Sequence, residues 1–284
     1  MTNSEVPFQD SLDIKELIRG YAKHWIWFFA SMAVFVALAF IYLRYKTPEF
    51  VAQAKIQILD EQNSGGGIDL FKELDFLSGG KTQVEDEIEI INSRSNFIEV
   101  ARDLGLNTKL YVVGNIMDTE IYDQRPVKIN FIAPDSVIYS SNYTFYLNLA
   151  SSTTFGFTDD EDKPLKVYAY GKNLTTPIGD MLITPDIDNI KRFTNKRLRV
   201  EVRPLHSIAE GYRTKINIST AEEYSNIVNF SLEDPIMGKA RDIINRLIRI
   251  YNRNAIEDKK VIADRTSNFI DDRISASRRA GLGA

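Results

Sequence analysis

The stretch WIWFFASMAVFVALAFIY, Trp25–Tyr42, contains no charged residue and no proline. At about 1.5 Å of rise per residue, a helix of this length crosses most of the ~30 Å hydrocarbon core of a bilayer. The sequence therefore predicts a transmembrane helix over residues 25–43, with a buried core helix and a cleaved signal peptide as the alternatives. Aromatic residues lie near both ends, as at membrane interfaces: Trp25, Trp27, Tyr42 and Tyr45.

The charges beside this stretch do not orient it, because basic residues precede and follow it in similar number. They are Lys15, Arg19 and Lys23 before it, and Arg44, Lys46 and Lys55 after it. Residues 1–24 form a short tail in which Asp13 is a candidate N-cap of an amphipathic helix. The alternative is that this helix is only the start of the span. Since most of the chain follows the stretch, we predict a cytoplasmic tail and a translocated main domain.

Composition excludes several classes of function. The 284 residues carry a formal net charge of −4, with acidic and basic residues intermixed, which gives no indication of nucleic-acid binding. The absence of cysteine excludes disulfides, thiolate metal sites and cysteine catalysis.

The sequence shows no pattern typical of catalysis or of a bound cofactor. Gly80, Lys81 and Thr82 imitate the end of a phosphate-binding loop, but Asp75 stands where the motif requires a glycine. His24 and His206 are far apart and have no ligand-spaced partners. We therefore predict no catalytic residue, no cofactor site and no metal site.

An α/β base domain is predicted from residues 48–110 and 198–234. Phe50–Leu59 alternates between apolar and polar residues as a half-buried strand does, and helices are expected at Gln83–Asn92 and Phe97–Leu104. Three further strands are predicted to join Phe50–Leu59 in one sheet: Leu198–Val202, Thr214–Ser219 and Ile227–Leu232.

The segment 111–197 is predicted to be a β-rich insertion, because its apolar residues recur with period two between turn residues. Several short strands at this spacing indicate a β-sandwich or a jelly-roll-like module. Its aromatic residues, such as Tyr143 and Phe155, allow a carbohydrate-stacking hypothesis, although core packing accounts for most of them.

A long helix is predicted at residues 235–274, where Asp234 supplies a cap and Pro235 occupies the first position. Such a helix spans about 60 Å and usually packs against another helix, in the same chain or in a neighbour. Residues 275–284, SASRRAGLGA, abandon the apolar stripe, and we interpret them as a truncation or a foreign tail. The predicted packing or oligomer face contains Leu247, Tyr251, Ala255, Ile262 and Phe269.

Taken in order, these features resemble the polysaccharide co-polymerase, or chain-length determinant (Wzz-like), family of bacterial envelopes. The resemblance is carried by DIKEL at 13–17, by the strand after the apolar stretch, by EDEIEIINSRSNFIEVARDLGL at 85–106 and by DPIMGKARDIINRLIRIYNRNAIEDK at 234–259. The β-rich insertion is similar to that of the longer members, which are fused to a cytoplasmic tyrosine autokinase.

The resemblance implies an α+β periplasmic domain anchored in the inner membrane, with the β-sandwich or jelly-roll-like insertion and the long C-terminal helix. It also implies a homo-oligomeric ring that works with the polysaccharide polymerase and export machinery. The polysaccharide itself is a further candidate partner. No catalytic residue is implied for this part of the family.

Three functions remain open from the sequence. The first is a non-enzymatic scaffold that regulates the chain length and export of a capsular, exo- or O-antigen polysaccharide. The second is the periplasmic sensor portion of a tyrosine autokinase. The third is a single-span envelope protein that binds carbohydrate.

Overall fold

The computed structural model describes residues 24–58, 81–222 and 225–281. The chain divides into two compact units, residues 1–48 and residues 49–284. The predicted amphipathic helix beginning at Asp13, and the imitation of a phosphate-binding loop before Lys81, lie outside the described residues.

Helix α1, Trp25–Tyr45, forms the described part of the first unit. All of its 21 residues are exposed, and its mean hydropathy of 2.3 is high enough for a membrane span by length and composition. Arg44 is the basic residue of its last turn. The observed helix extends the predicted 25–43 by two residues.

A three-stranded antiparallel sheet forms the base of the second unit, in the order β1-β12-β11. These strands are β1, Phe50–Gln57, β11, Asn217–Thr220, and β12, Ile227–Asp234. Strand β1 pairs with β12 along its whole length, from Phe50 opposite Asp234 to Gln57 opposite Ile227.

Helices complete this base. They are α2, Lys81–Ile91, α3, Arg94–Asp103, α5, Leu205–Lys215, and α6, Met237–Gly281. Their apolar faces form one core with β12, including Ile91, Phe97, Phe230 and Ile243, each at most 1% exposed. Val84 and Ile91 of α2 are buried in this core.

Two antiparallel sheets share the second core of the unit. The larger has the order β3-β2-β10-β5-β6-β7, and the smaller has the order β4-β9-β8. Their strands are β2, Thr108–Val112, β3, Thr119–Ile121, β4, Val127–Ile132, β5, Tyr143–Asn148, β6, Thr154–Thr158, β7, Lys166–Ala169, β8, Asn173–Thr176, β9, Gly179–Pro185, and β10, Arg197–Val202. A short helix, α4, Asp135–Ser140, follows β4, and Ile190–Phe193 forms a 3-10 turn.

The shared core supports the packing interpretation of the aromatic residues. Phe145 and Phe155 are almost fully buried, and the ring of Phe155 contacts that of Tyr170 with a centroid separation of 4.9 Å.

The prediction that Leu198–Val202 belongs to the base sheet was wrong. This strand is β10, which pairs with β2 on one side and with β5 on the other. Leu198 and Val200 consequently contribute to the second core and not to the base core. The strand predicted at Thr214–Ser219 is also displaced, because Thr214 and Lys215 end helix α5 and the strand begins at Asn217.

Helix α6 begins close to its predicted start, and the backbone N–H of Ile236 donates to Asp234 Oδ1 at 2.9 Å. Its end differs from the prediction, because the helix continues through Ser275 to Gly281. A 45-residue helix is about 68 Å long.

Candidate functional site: the long helix and its attachment

The surroundings of α6 change along its length. Its first turns lie in the base core, where Ala240, Ile243 and Leu247 are fully buried. Beyond Asn254 and Ala255, which are half-buried, every described side chain up to Phe269 is exposed. The helix therefore has a segment fixed to its own domain and a second segment that extends from it.

The five residues of the predicted packing face divide between these segments. Leu247 is buried in the base core, and Tyr251 is half-buried, with its hydroxyl donating to Glu87 Oε2 at 2.9 Å. Ala255 is half-buried, whereas Phe269 is 60% exposed. The side chain of Ile262 lies outside the described residues. Leu247 and Tyr251 thus pack within their own chain, and the use of this face between subunits stays a prediction.

The buried face of α6 continues into the extending segment. Val261 lies eighteen residues, or about five helical turns, after Ile243, so both side chains project from the helix in the same direction. Ile243 is fully buried, but Val261 is 46% exposed. The same spacing relates Tyr251 to Phe269. The extending segment therefore presents apolar residues in line with the face that the domain covers further back.

Two arginines attach α6 to α3 along their line of contact. Arg253 binds Glu99 through two hydrogen bonds of 2.7 Å, and Arg246 Nε donates to Asp103 Oδ2 at 2.7 Å. The hydrogen bonds from Arg253 lower the pKa of Glu99 below its usual value, despite the opposing effect of partial burial. These pairs fix the rotation of α6 about its own axis.

A buried lysine joins α6 to the base sheet and to the larger of the other two sheets. Lys239 Nζ lies 2.8 Å from both carboxylate oxygens of Glu120 on β3, and 3.2 Å from Asp234 Oδ1 at the end of β12. The side chains of Lys239 and Asp234 are each 3% exposed, and that of Glu120 is 17% exposed. Burial, with a smaller contribution from the charge of Asp234, raises the pKa of Tyr212 beside this cluster.

This lysine cluster links the two cores of the unit, because Glu120 belongs to the β-rich part and Asp234 to the base sheet. A second link lies nearby, where the Tyr122 hydroxyl donates to Asp242 Oδ2 at 3.3 Å. Sequence reasoning found the capping role of Asp234 but missed Lys239 and Glu120. A lysine in a helical sequence is usually predicted to face solvent, and no local pattern connects Lys239 with Glu120, which lies far away in the sequence.

The described part of the chain contains no group of three or more His, Asp or Glu side chains placed to hold a metal ion. Lys239 is fully engaged by two carboxylates. The arrangement around α6 can therefore fix the helix and present it to a partner.

Comparison with known proteins gives a family match for the first third of this chain. Residues 10–104 match the Wzz family model, described as chain length determinant protein. The matched segment contains α1, β1, α2 and α3. The resemblance to chain-length determinants that the sequence motifs predicted is thereby confirmed.

A particular relative is the tyrosine-protein kinase ptk of Acinetobacter johnsonii, which is 20% identical over 294 residues. The alignment covers 96% of this chain, and the chain spans 38% of the length of that relative. The predicted similarity to kinase-fused members is consistent with this match.

Two solved structures align with this chain too weakly to support an assignment. Two crystal structures of Xanthomonas campestris FlgL align at 10% identity, covering 65% and 73% of this chain and 84% and 94% of the FlgL chains. Their TM-scores are 0.20 and 0.19, which is too low to indicate a shared fold.

Proposed function

We propose that this chain is the membrane-anchored, non-enzymatic portion of an inner-membrane polysaccharide co-polymerase. As an oligomeric scaffold it regulates the chain length and export of a capsular, exo- or O-antigen polysaccharide. The observation that carries the proposal is the chain-length determinant match, which runs from before α1 into the helices of the base domain. Helix α1 anchors the chain, residues 1–24 lie in the cytoplasm and the domain after residue 48 lies in the periplasm.

The oligomeric part of the proposal is supported by the extending segment of α6. Val261 and Phe269 are 46% and 60% exposed there, on a helix longer than its own domain can cover. Apolar residues on such a helix are stabilised by packing against another helix, and a second copy of the chain supplies an identical one. The described residues Leu247 and Tyr251 then hold each α6 in place, and the extending segments form the contact between subunits.

The oligomer is tested with the full chain purified in detergent micelles. We expect Val261→Glu to shift the protein from a multimer toward the mass of one 32.4 kDa chain, because the substitution places a carboxylate in an apolar contact. Ser267→Glu is the matched control, since Ser267 is exposed and lies about 120° around the helix from Val261 and about 160° from Phe269. Light scattering coupled to size-exclusion chromatography measures both. A wild-type chain that is monomeric at all concentrations contradicts the proposal.

The topology is tested by thiol labelling, because the chain has no cysteine of its own. Ser152→Cys introduces one exposed thiol in the β-rich part, and Ser4→Cys introduces one in the N-terminal tail. We expect a membrane-impermeant maleimide to label Ser152→Cys in cells with a permeabilised outer membrane, and to label Ser4→Cys only after the inner membrane is opened. The reverse pattern contradicts the proposed orientation.

A second candidate is the periplasmic sensor portion of a tyrosine autokinase. It is favoured by the relative whose name is tyrosine-protein kinase ptk, of which this chain spans 38%. Reading the DNA beyond codon 284 distinguishes the two. A second apolar span followed by a phosphate-binding loop favours the kinase, and a stop codon after a second span without that loop favours the scaffold alone.

A further inference from the structure

A groove of about 470 Å³ lies between the base domain and the smaller sheet. Its lining includes Arg102 of α3, Arg125 before β4, Lys128 within β4 and Tyr139 of α4, together with the amide side chains of Asn107 and Asn130. A volume of this size is within the range of small-molecule sites in proteins.

The groove runs along the free edge of β4. Among the described strands β4 pairs only with β9, so its other edge has no ladder partner. All five residues Val127–Phe131 line the groove. Since successive side chains of a strand point to opposite faces, a groove that contacts all five follows the strand edge and reaches its backbone. That edge offers N–H donors and C=O acceptors to a ligand rich in hydroxyl groups.

The groove is positively charged in a chain that is negative overall. Three cationic side chains line it, Arg102, Arg125 and Lys128, against the single carboxylate of Asp135. The ion pairs formed among the described residues include none of the three. By contrast, Arg246 and Arg253 nearby on α6 are both paired with carboxylates.

Arg125 is the most informative of these cations. Burial lowers the pKa of its guanidinium, with smaller opposing contributions from Tyr122 and Glu120, and Arg125 Cζ lies 6.0 Å from the centroid of the Tyr122 ring. The Glu120 carboxylate is bound by Lys239 and forms no ion pair with Arg125, so the partly desolvated guanidinium is costly, and an anion that binds beside it offsets that cost. Its planar fork of N–H donors matches a carboxylate in two parallel hydrogen bonds.

Tyr139 adds an apolar surface at the same groove, with Arg102 Cζ 5.9 Å from its ring centroid. Aromatic rings bind the apolar faces of sugars, while amides and backbone groups bind the hydroxyl groups around the ring. A peptide that paired with the free edge of β4 as an extra strand would need a clear path beside it. Residues of α3 and α4 form walls of the groove, so the groove favours a saccharide over a peptide.

We propose that this groove binds an acidic saccharide, with Arg125 and Lys128 holding a sugar carboxylate and the β4 edge holding hydroxyl groups. This inference rests on the proposed function in polysaccharide assembly. It specifies the place at which the polymer contacts the scaffold and the chemical class of the sugar that is bound there.

The test uses the full chain in detergent and isothermal titration calorimetry. The probe is a hyaluronan tetrasaccharide, which alternates glucuronate with N-acetylglucosamine, and the neutral control is chitotetraose. We expect the hyaluronan probe to bind at least about tenfold more tightly than chitotetraose, because only the former carries carboxylates. Equal affinity for the two tetrasaccharides overturns the assignment. The assignment is also overturned if inorganic phosphate, or a peptide of alternating Glu and Val, binds the chain more tightly than the hyaluronan probe does.

Substitutions locate the binding. Arg125→Gln and Lys128→Gln are each expected to weaken hyaluronan binding at least about tenfold. The control Lys166→Gln, at an exposed lysine of β7, should leave it unchanged. Lys128 is exposed, so its substitution does not endanger folding and keeps the test decisive. Unchanged binding by Lys128→Gln overturns the proposal.

The oligomeric state of each variant is measured on the same samples. A wild-type chain that forms multimers but does not bind the hyaluronan probe overturns the groove proposal and does not affect the scaffold proposal. A wild-type chain that forms no multimers contradicts the scaffold proposal.

Discussion

Replacing Lys239 by methionine tests whether the buried lysine cluster holds α6 to the rest of the domain. The substitution keeps an unbranched side chain of similar length and removes the ammonium group. Asp234 and Glu120, 3% and 17% exposed, are then left without their common cation. Removing one partner of a buried ion pair costs about 3–5 kcal/mol, because the remaining charge stays desolvated. For a domain of this size that corresponds to a fall in Tm of about 6–20 °C.

The assay is thermal unfolding of the full chain in detergent, followed by far-UV circular dichroism. The triple variant Lys239→Met, Glu120→Gln, Asp234→Asn is expected to recover most of the loss, because neutral side chains need no cation and Asn still caps α6. Lys163→Met is the control, since Lys163 lies 3.4 Å from Asp160 in an exposed pair worth at most about 1 kcal/mol. A fall in Tm for Lys239→Met no larger than for Lys163→Met, or no recovery in the triple variant, refutes this reasoning.

Three further predictions concern stability and are checked by denaturant or thermal unfolding. Gly179→Ala is expected to reduce the free energy of unfolding more than Gly171→Ala does. Both glycines have positive φ, 111° and 75°, but an added Cβ at Gly179 would lie 2.6 Å from the Ala133 Cβ, whereas nothing lies within 4 Å of an added Cβ at Gly171. We expect about 1–2 kcal/mol at Gly171 and about 1–3 kcal/mol more at Gly179, and equal costs would contradict the close contact. Phe145→Ala should cost about 3–5 kcal/mol, because Phe145 is fully buried between the two sheets, and a loss below about 1 kcal/mol would place it outside the core. Arg253 lowers the pKa of Glu99 from its usual 4.5, so their pair stabilises the fold above pH 4.5, and this stabilisation is lost as the pH falls through the folded pKa. Arg253→Met should therefore reduce the loss of stability on acidification, whereas Arg249→Met, at an exposed position, should not.

Local patterns were sufficient to predict most individual elements. The apolar stretch from Trp25 predicted α1, and the alternation in Phe50–Leu59 predicted β1. The Asp234-Pro235 pair predicted the start of α6, where Asp234 accepts the hydrogen bond of a cap. Each of these signals lies within a few residues of the element that it specifies.

Strand partners were not predictable in the same way. The alternation of Leu198, Val200 and Val202 shows which side chains share a face, but it does not specify which strands lie on either side. Strand β10 could satisfy that pattern in either sheet, and the structure places it between β2 and β5. Lys239 was missed for a related reason, because its carboxylates come from β3 and β12 and meet only when both cores have formed.

Helix α5 had a readable signal that was overlooked. Leu205, Ala209 and Tyr212 are buried at spacings of four and three residues, which is the period of an amphipathic helix. Gly211 within the segment weakens that pattern, because glycine is a poor helix former. The residues of the groove gave no local signal, since Arg102, Arg125 and Tyr139 belong to three separate segments of the chain.

The most direct test of the central claim is the length distribution of a cell-surface polysaccharide. The chain is expressed, together with any coding sequence that continues it, in a bacterium whose own chain-length determinant has been deleted, and the polymer is resolved by gel electrophoresis. We predict that the wild-type protein and Ser267→Glu restore a narrow modal length, whereas Val261→Glu leaves the distribution broad. A distribution that is the same with and without the protein would contradict the account.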